Sequence, residues 1–220
     1  MGPSERDWLR RLGRWLKHHR SKVILASKCG EWFNGYSSRY DFSAEATVRS
    51  IEESLRRLQT DYLDLVQIHC GPGEEETVRR GEALEGMLRA CRDGKVRFVG
   101  VSCHASGALA ALEMGSYEVL QVPYSLLNRA VEGEVLSRAE KAGVGIIVRE
   151  ALERGKLTSK IKELPDDDDP RLAEYKSADD LTRQAVQFPL THSAVSTVLI
   201  GTRNAKHLEE AVQAAEARVG

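Results

Sequence analysis

The stretch Asp61-Tyr-Leu-Asp-Leu-Val-Gln-Ile-His-Cys70 decides the fold. From Tyr62 to Ile68 it is too apolar for a surface strand, and it stops on a histidine. That combination predicts a strand buried on both faces, with a titratable group at its end. The pattern recurs five times, in short apolar runs that lead to Lys28, Ser102, Ser125, Glu150 and Gly201. Repeated polar strand ends point to chemistry carried out along one edge of a sheet.

Helical patterns separate these runs. The first helix is expected to start at an N-cap Ser4, with Trp8, Leu9, Leu12, Trp15 and Leu16 forming one apolar face. Val23–Ala26 then reads as a short buried strand leading to Ser27 and Lys28, followed by a loop to Phe42. Ser43 caps a helix carrying Val48, Ile51, Leu55 and Leu58. After the strand over 62–68, Gly71-Pro-Gly73 breaks the chain and a helix runs from about Thr77 to Gly94. Strands follow over 96–101, 119–122, 144–148 and 195–200. The helices between them lie near 106–114, 131–142 and 178–192, and a last one uses Leu208, Val212 and Ala215. The acidic run Asp166–Asp169 reads as solvated loop.

Strict alternation of six strands and seven helices argues for right-handed crossovers and a parallel sheet. No Gly-x-Gly-x-x-Gly follows the first strand, which disfavours a dinucleotide-binding doubly wound sheet. The polar strand ends and the final Gly201-Thr-Arg-Asn204 fit a (β/α)8 barrel, whose functional residues lie at the C-terminal ends of its strands. Such barrels have eight strands, so the reading is a single barrel domain over residues 1–220 without its first β-α-β piece.

Composition bounds the function. Of 220 residues, 41% are hydrophobic and 30% charged, enough for a core under a solvated surface. With 32 basic against 33 acidic side chains, the net charge of −1 gives no reason to expect nucleic acid or an anionic membrane. No apolar run approaches the ~20 residues of a membrane span. Cys29, Cys70, Cys91 and Cys103 lack a C-x-x-C spacing, so a reduced, cytoplasmic protein is expected. Three of them directly follow Lys28, His69 and Ser102 and are placed at the same mouth, as small apolar filler or, alternatively, as metal ligands.

Several of the strand-end residues can do chemistry. A partly desolvated Lys28 can lower the pKa of a neighbouring acid or act as a base, unless it only snorkels from a strand end. His69 can donate to a carbonyl oxygen, unless it is a satisfied core histidine. Ser102 and Gln121 suit an amide-bearing ligand. Gly201, Thr202 and Arg203 precede a helix, where backbone N–H groups and a guanidinium bind phosphate; a plain capped turn is the other reading.

At these positions the chain resembles the aldo-keto reductase family. Ala26-Ser-Lys-Cys-Gly30 looks like its lysine strand, and Leu58–His69 like the segment ending in its active-site histidine. Val96–Cys103, Gln121–Arg129, Gly155-Lys-Leu157 and Val198–Asn204 fall in the family's order. The resemblance covers nearly the whole chain from Ser4 onward. It implies an NADPH-dependent reductase of aldehyde or ketone carbonyls, with an Asp, Tyr, Lys and His tetrad. Lys28 and His69 match the last two. Ser102 and Gln121 would hold the nicotinamide carboxamide, Arg149 would flank its ring, and Gly201, Thr202 and Arg203 would bind the adenosine phosphate.

There are departures from that pattern. Cys103 stands where Asn is common, Glu150-Ala151 replaces a frequent Ser-Pro, and Ala211 replaces a frequent Asn. Before the first helix the family reads Tyr-Gly-x-Ser-Glu, where this chain has Met1-Gly-Pro-Ser-Glu5. Methionine thus holds the place of the catalytic tyrosine, and a chain truncated before the tetrad Asp and Tyr is expected. The expectations are impaired turnover and self-association through an open barrel edge, or alternatively a catalytically silent nucleotide-binding or interaction protein.

Overall fold

The computed structural model describes residues 5–33, 35–163, 170–176 and 180–217. The predicted cap Ser4 and the acidic run Asp166–Asp169 lie outside them. The chain divides into two compact units, Met1–Val119 and Leu120–Gly220. The strands and helices alternate as in a (β/α)8 barrel, and all six strands expected from the apolar runs are present.

The first unit opens with helix α1 (Glu5–His19), strand β1 (Ala26–Cys29) and a hairpin of β2 (Glu31–Phe33) and β3 (Ser38–Tyr40). Helix α2 (Ala44–Leu58), β4 (Leu63–His69), α3 (Glu74–Arg80), α4 (Glu82–Arg92), β5 (Val96–Ser102) and α5 (Ala105–Met114) follow. Parallel pairing runs in the order β1-β4-β5. As its sequence predicts, β4 is buried from Leu63 to Ile68. The Ser43 Oγ accepts from the Ala46 N–H at 3.3 Å and so caps α2, which buries Ile51, Leu55 and Leu58.

Three expectations change in this unit. β1 starts at Ala26, so Lys28 lies within the strand and does not end it. The segment read as a loop to Phe42 contains the antiparallel hairpin, with Glu31 opposite Tyr40. The helix expected from Thr77 is two helices, divided at Gly81 with φ +71°.

Side-chain alternation sorts the strands into two faces. The Ser27 hydroxyl lies 3.0 Å from that of Ser54 on α2, so Ser27 faces the helices. Ala26 and Lys28 therefore face the other way. Neighbours in register share a face, and Lys28 pairs with Gln67, Gln67 with Gly100, and His69 with Ser102. Lys28, His69 and Ser102 thus stand on one face, opposite the helices.

The second unit holds β6 (Val119–Pro123), α6 (Val135–Ala142), β7 (Gly145–Arg149), α7 (Pro170–Lys176), α8 (Leu181–Leu190), β8 (Val195–Val198) and α9 (Ala205–Glu216), its strands in the order β6-β7-β8. Leu157, Ile161, Leu172, Leu181 and Ala185 form one core. Helix α7 stands in what reads from sequence as a polar connection. On α9 the buried residues are Ala211 and Ala214, packed with Val186, with Ala215 against them. Leu208 and Val212, expected on the buried face, are about half exposed. Among the described residues no helix is long and apolar enough to cross a membrane, and the four cysteines carry free thiols.

A charged cluster closes the end of the first unit's strands away from His69. Asp64 is 6% exposed. Its Oδ2 accepts from Arg20 at 2.7 Å and from the Leu25 N–H at 2.9 Å, and its Oδ1 accepts from Arg97 at 2.9 Å. Arg20 also donates to the carbonyls of Val23 and Tyr62, and the Tyr62 ring lies under both guanidiniums. Burial works against ionisation of Asp64, but the Leu25 N–H, Arg20 and Arg97 outweigh it and hold its carboxyl below the usual range. A depressed carboxylate pKa contributes stability that is complete above the unfolded-state value of ~3.9 and is lost as pH falls through the folded-state value. Asp64→Ala should cost about 3 kcal/mol in urea denaturation at neutral pH, because it leaves Arg20 without its carboxylate. Asp64→Asn should flatten the acid limb of the stability profile; an unchanged acid limb would show that Asp64 does not carry it.

Candidate active site

Lys28, His69 and Ser102 approach one another because three adjacent parallel strands present them on one face. Ser102 is buried at the end of β5, and His69, at the end of β4, keeps its side chain 43% exposed. Lys28 is exposed, with Gln67 beside it in register. Gln67 is buried and, among the described residues, its amide Nε2 has no hydrogen-bond partner. The face therefore offers an ammonium, an imidazole, a hydroxyl and an amide donor.

The hairpin adds groups that the sequence reading missed. The Glu31 carboxylate is bonded to His69 Nδ1 and accepts from the Ser38 hydroxyl. The Ser38 hydrogen bond, opposed by burial and helped by His69 and Tyr40, holds the Glu31 carboxyl below the usual range. Two glycines seat this arrangement. Gly30, with φ +93°, turns the chain from β1 into the hairpin, and a Cβ there would lie 2.4 Å from the Phe42 ring. A Cβ on Gly71 would lie 2.7 Å from the Tyr40 ring. The available signal was Asn34-Gly35, a hairpin dipeptide between two aromatic-rich triplets.

The cysteines do not line this mouth, contrary to the sequence expectation. Cys29 follows Lys28 and so points to the helix side, where it is buried and its thiol donates to the Gln67 carbonyl at 3.5 Å. Cys103 likewise packs against Gly107 of α5. Burial pushes the Cys29 thiol up to about 12, and burial with the nearby Glu74 does the same for Cys70. Such thiols stay protonated at neutral pH and are poor nucleophiles. Among the described residues no cluster of His, Cys, Asp and Glu is arranged to hold a metal ion.

In the second unit Gln121 is buried in β6, and Arg149 ends β7 bonded to the Glu150 carboxylate. A cleft of about 500 Å³ in this unit is lined by Gly201 and Thr202, by the basic Arg154, Lys160 and His207 and by the acidic Glu150 and Glu210; Gln121 and Arg149 are not among its lining residues. Arg203 is exposed in the same turn but is not among the lining residues. Thr202 Oγ1 accepts from the Asn204 N–H at 3.1 Å, and Asn204 Oδ1 accepts from the Lys206 N–H at 3.0 Å, capping α9. On the opposite wall Glu150, Glu153 and Arg154 all have positive φ, at 61°, 45° and 56°. Strained backbone of this kind concentrates at ligand-binding loops. Lys160 and His207 had no distinguishing sequence pattern, since each is one polar residue in a polar segment.

The comparisons agree with this geometry. A model of the aldo/keto reductase family matches residues 3–219. L-galactose dehydrogenase of Arabidopsis thaliana is 30% identical over 92% of this chain and 68% of its own length. Aldo-keto reductase YhdN of Bacillus subtilis is 31% identical over 86% of this chain and 62% of its own. The holo form of an aldo-keto reductase from Bacillus halodurans superposes with a TM-score of 0.80 at 28% identity, over 94% of this chain and 72% of that one. With its lysine and histidine on one face of adjacent parallel strands, and a family match over residues 3–219, this chain belongs to the aldo/keto reductase family of oxidoreductases.

Proposed function

We propose that the chain reduces small aldehydes or ketones with NADPH, both units serving one catalytic domain. The observation that carries this reading is the shared face of Lys28, His69 and Ser102. The donors in the cleft suit the cofactor's chemistry: Arg154 and Lys160 are cationic, His207 offers a ring nitrogen, and Thr202 adds a hydroxyl. In this reading Gly201, Thr202 and Arg203 take the adenosine phosphate end, Arg149 flanks the nicotinamide, and Ser102 and Gln121 bind its carboxamide. The bound cofactor supplies a hydride.

The proton must come from the protein. Carbonyl reduction normally uses a tyrosine whose phenol, at ~10, is lowered by a nearby ammonium. In this reading His69, on the face shared with Lys28 and Ser102, gives the proton as imidazolium. Losing a general acid costs about 10²–10⁴-fold. The rate should therefore rise towards acid pH, and His69→Ala should remove what rate there is. A rate typical of enzymes in the unmodified chain that survives His69→Ala would overturn the assignment. Binding of NADPH without turnover would favour a nucleotide-binding role.

Cofactor preference can be tested apart from turnover. Trp32, on the hairpin and 40% exposed, makes fluorescence titration practical. Arg203→Ala should weaken NADPH about tenfold and NADH little, as expected for one charge-assisted hydrogen bond to the 2′-phosphate. Equal losses would count against Arg203 as the phosphate ligand.

Self-association is also proposed, through apolar surface of the first unit. Ile24 is 84% exposed and Phe98, on the same strand face as Ser102, is 50% exposed. Sedimentation should show species larger than the 24.5 kDa chain, reduced in an Ile24→Ser, Phe98→Ser double variant. A monomer at all concentrations would refute it.

A further inference from the structure

The contact between Glu31 and His69 has a chemical consequence beyond holding the hairpin down. Glu31 accepts two donors at once, the Ser38 hydroxyl and His69 Nδ1, and Tyr40 stands opposite it in register on β3. These fix the carboxylate on the hairpin, and Tyr40 is in turn seated over Gly71, two residues beyond His69. The carboxylate is ionised and mostly buried, with 20% of its side chain exposed. An ionised carboxylate only accepts hydrogen bonds, so the atom it holds on the ring must be Nδ1–H.

We propose that Glu31 is a positioning residue for His69: it fixes the ring with Nδ1 protonated and Nε2 as the nitrogen available to substrate. The inference rests on the reading of His69 as the proton donor. A neutral ring held this way offers a lone pair at Nε2 and can only accept there. Only the imidazolium has a proton at Nε2 to give. In the reduction, the carbonyl oxygen would take the Nε2 proton, while a bound reduced nicotinamide would supply the hydride for the carbonyl carbon. The ring returns to neutral with Nδ1–H still on Glu31, and Glu31 stays ionised throughout.

The other groups around the ring do not compete for this role. Ser102, beside His69 in register on β5, is neutral. Cys70, next in the chain, is kept protonated by burial and by Glu74. Glu74, at the start of α3, is committed to the backbone N–H groups of His104 and Gly107 and to the Ser106 hydroxyl. Lys28, on the same face of β1, is in register with Gln67, two residues before His69. Among the described residues, Glu31 is the carboxylate bonded to the ring.

Two variants separate orientation from charge. Glu31→Ala removes both, whereas Glu31→Gln keeps an acceptor for Nδ1–H without the charge. Nitrogen-15 spectra of the imidazoles, with His69 assigned through His69→Ala, should show the Nδ1–H tautomer in the unmodified chain. It should persist in Glu31→Gln and give way to Nε2–H in Glu31→Ala. With NADPH and a small aldehyde, kcat should fall about tenfold or more in both variants, with KM and NADPH affinity held. Glu31→Asp should recover part of the loss.

A His69 ring that stays in the Nδ1–H form in Glu31→Ala would overturn the inference, as would kcat unchanged in both variants while His69→Ala is inactive. If His69→Ala retains the full rate, the reading of His69 as proton donor fails first and the catalytic role of Glu31 fails with it. Should Glu31→Ala not fold, the tautomer and kcat of Glu31→Gln decide: a charge effect on kcat at constant tautomer supports the inference, and no effect refutes it.

Discussion

The register of β1 against β4 is the constraint on which the candidate site depends, and Asp64 is what pins it. Its carboxylate ties the Leu25 N–H and Arg20 to the start of β4 at 2.9 and 2.7 Å. Because side chains alternate with period two, a slip of one residue would exchange the two faces of a strand. Lys28 would turn to the helices and Cys29 to the mouth. The same exchange holds for His69 with Cys70 and Ser102 with Cys103, so three chemically opposite pairs share one geometric switch. The polar cluster at one end of the strands thus decides which side chains stand at the other.

That view explains why some of the molecule was legible in the sequence and some was not. β4 was plain because six residues buried on both faces leave no periodicity to misread, and the histidine marks its end. The cap at Ser43 was plain because it is a local hydrogen bond. The cysteines were misplaced because adjacency in sequence was taken for adjacency in space, when in a strand consecutive side chains point apart. The split at Gly81 and the hairpin after Gly30 escaped because their elements are short and each turn depends on one or two residues. On α9, Leu208 and Val212 were the obvious apolar residues, yet the helix packs through Ala211 and Ala214. Small side chains permit the close approach to Val186, a choice made by the neighbour and invisible in the helix alone.

The candidate site divides in the same way. Lys28, His69 and Ser102 were identifiable because they end or nearly end apolar runs. Glu31 and Tyr40 were not, because their meaning comes from a turn that folds them back over the strand ends. Such residues carry no signal of their own until the hairpin is built. The loop between Lys28 and α2 therefore supplies a carboxylate to the imidazole as well as aromatic surface.

Glu150 poses the sharpest physical question in the second unit. It stands where relatives in the family frequently carry a neutral Ser, and it lines a cleft to which a phosphate-bearing cofactor is assigned. A bare carboxylate there would oppose that assignment. This one is engaged: Arg149 bonds its Oε1, and Arg154 lies 3.8 Å from the same oxygen. The positive φ of both Glu150 and Arg154 bends the wall so that the three side chains meet. With two guanidiniums around one carboxylate, this corner retains a net positive charge before Lys160 is counted. The departure from the family pattern alters how charge is held at the cleft, whose lining sets Arg154 and Lys160 against Glu150 and Glu210.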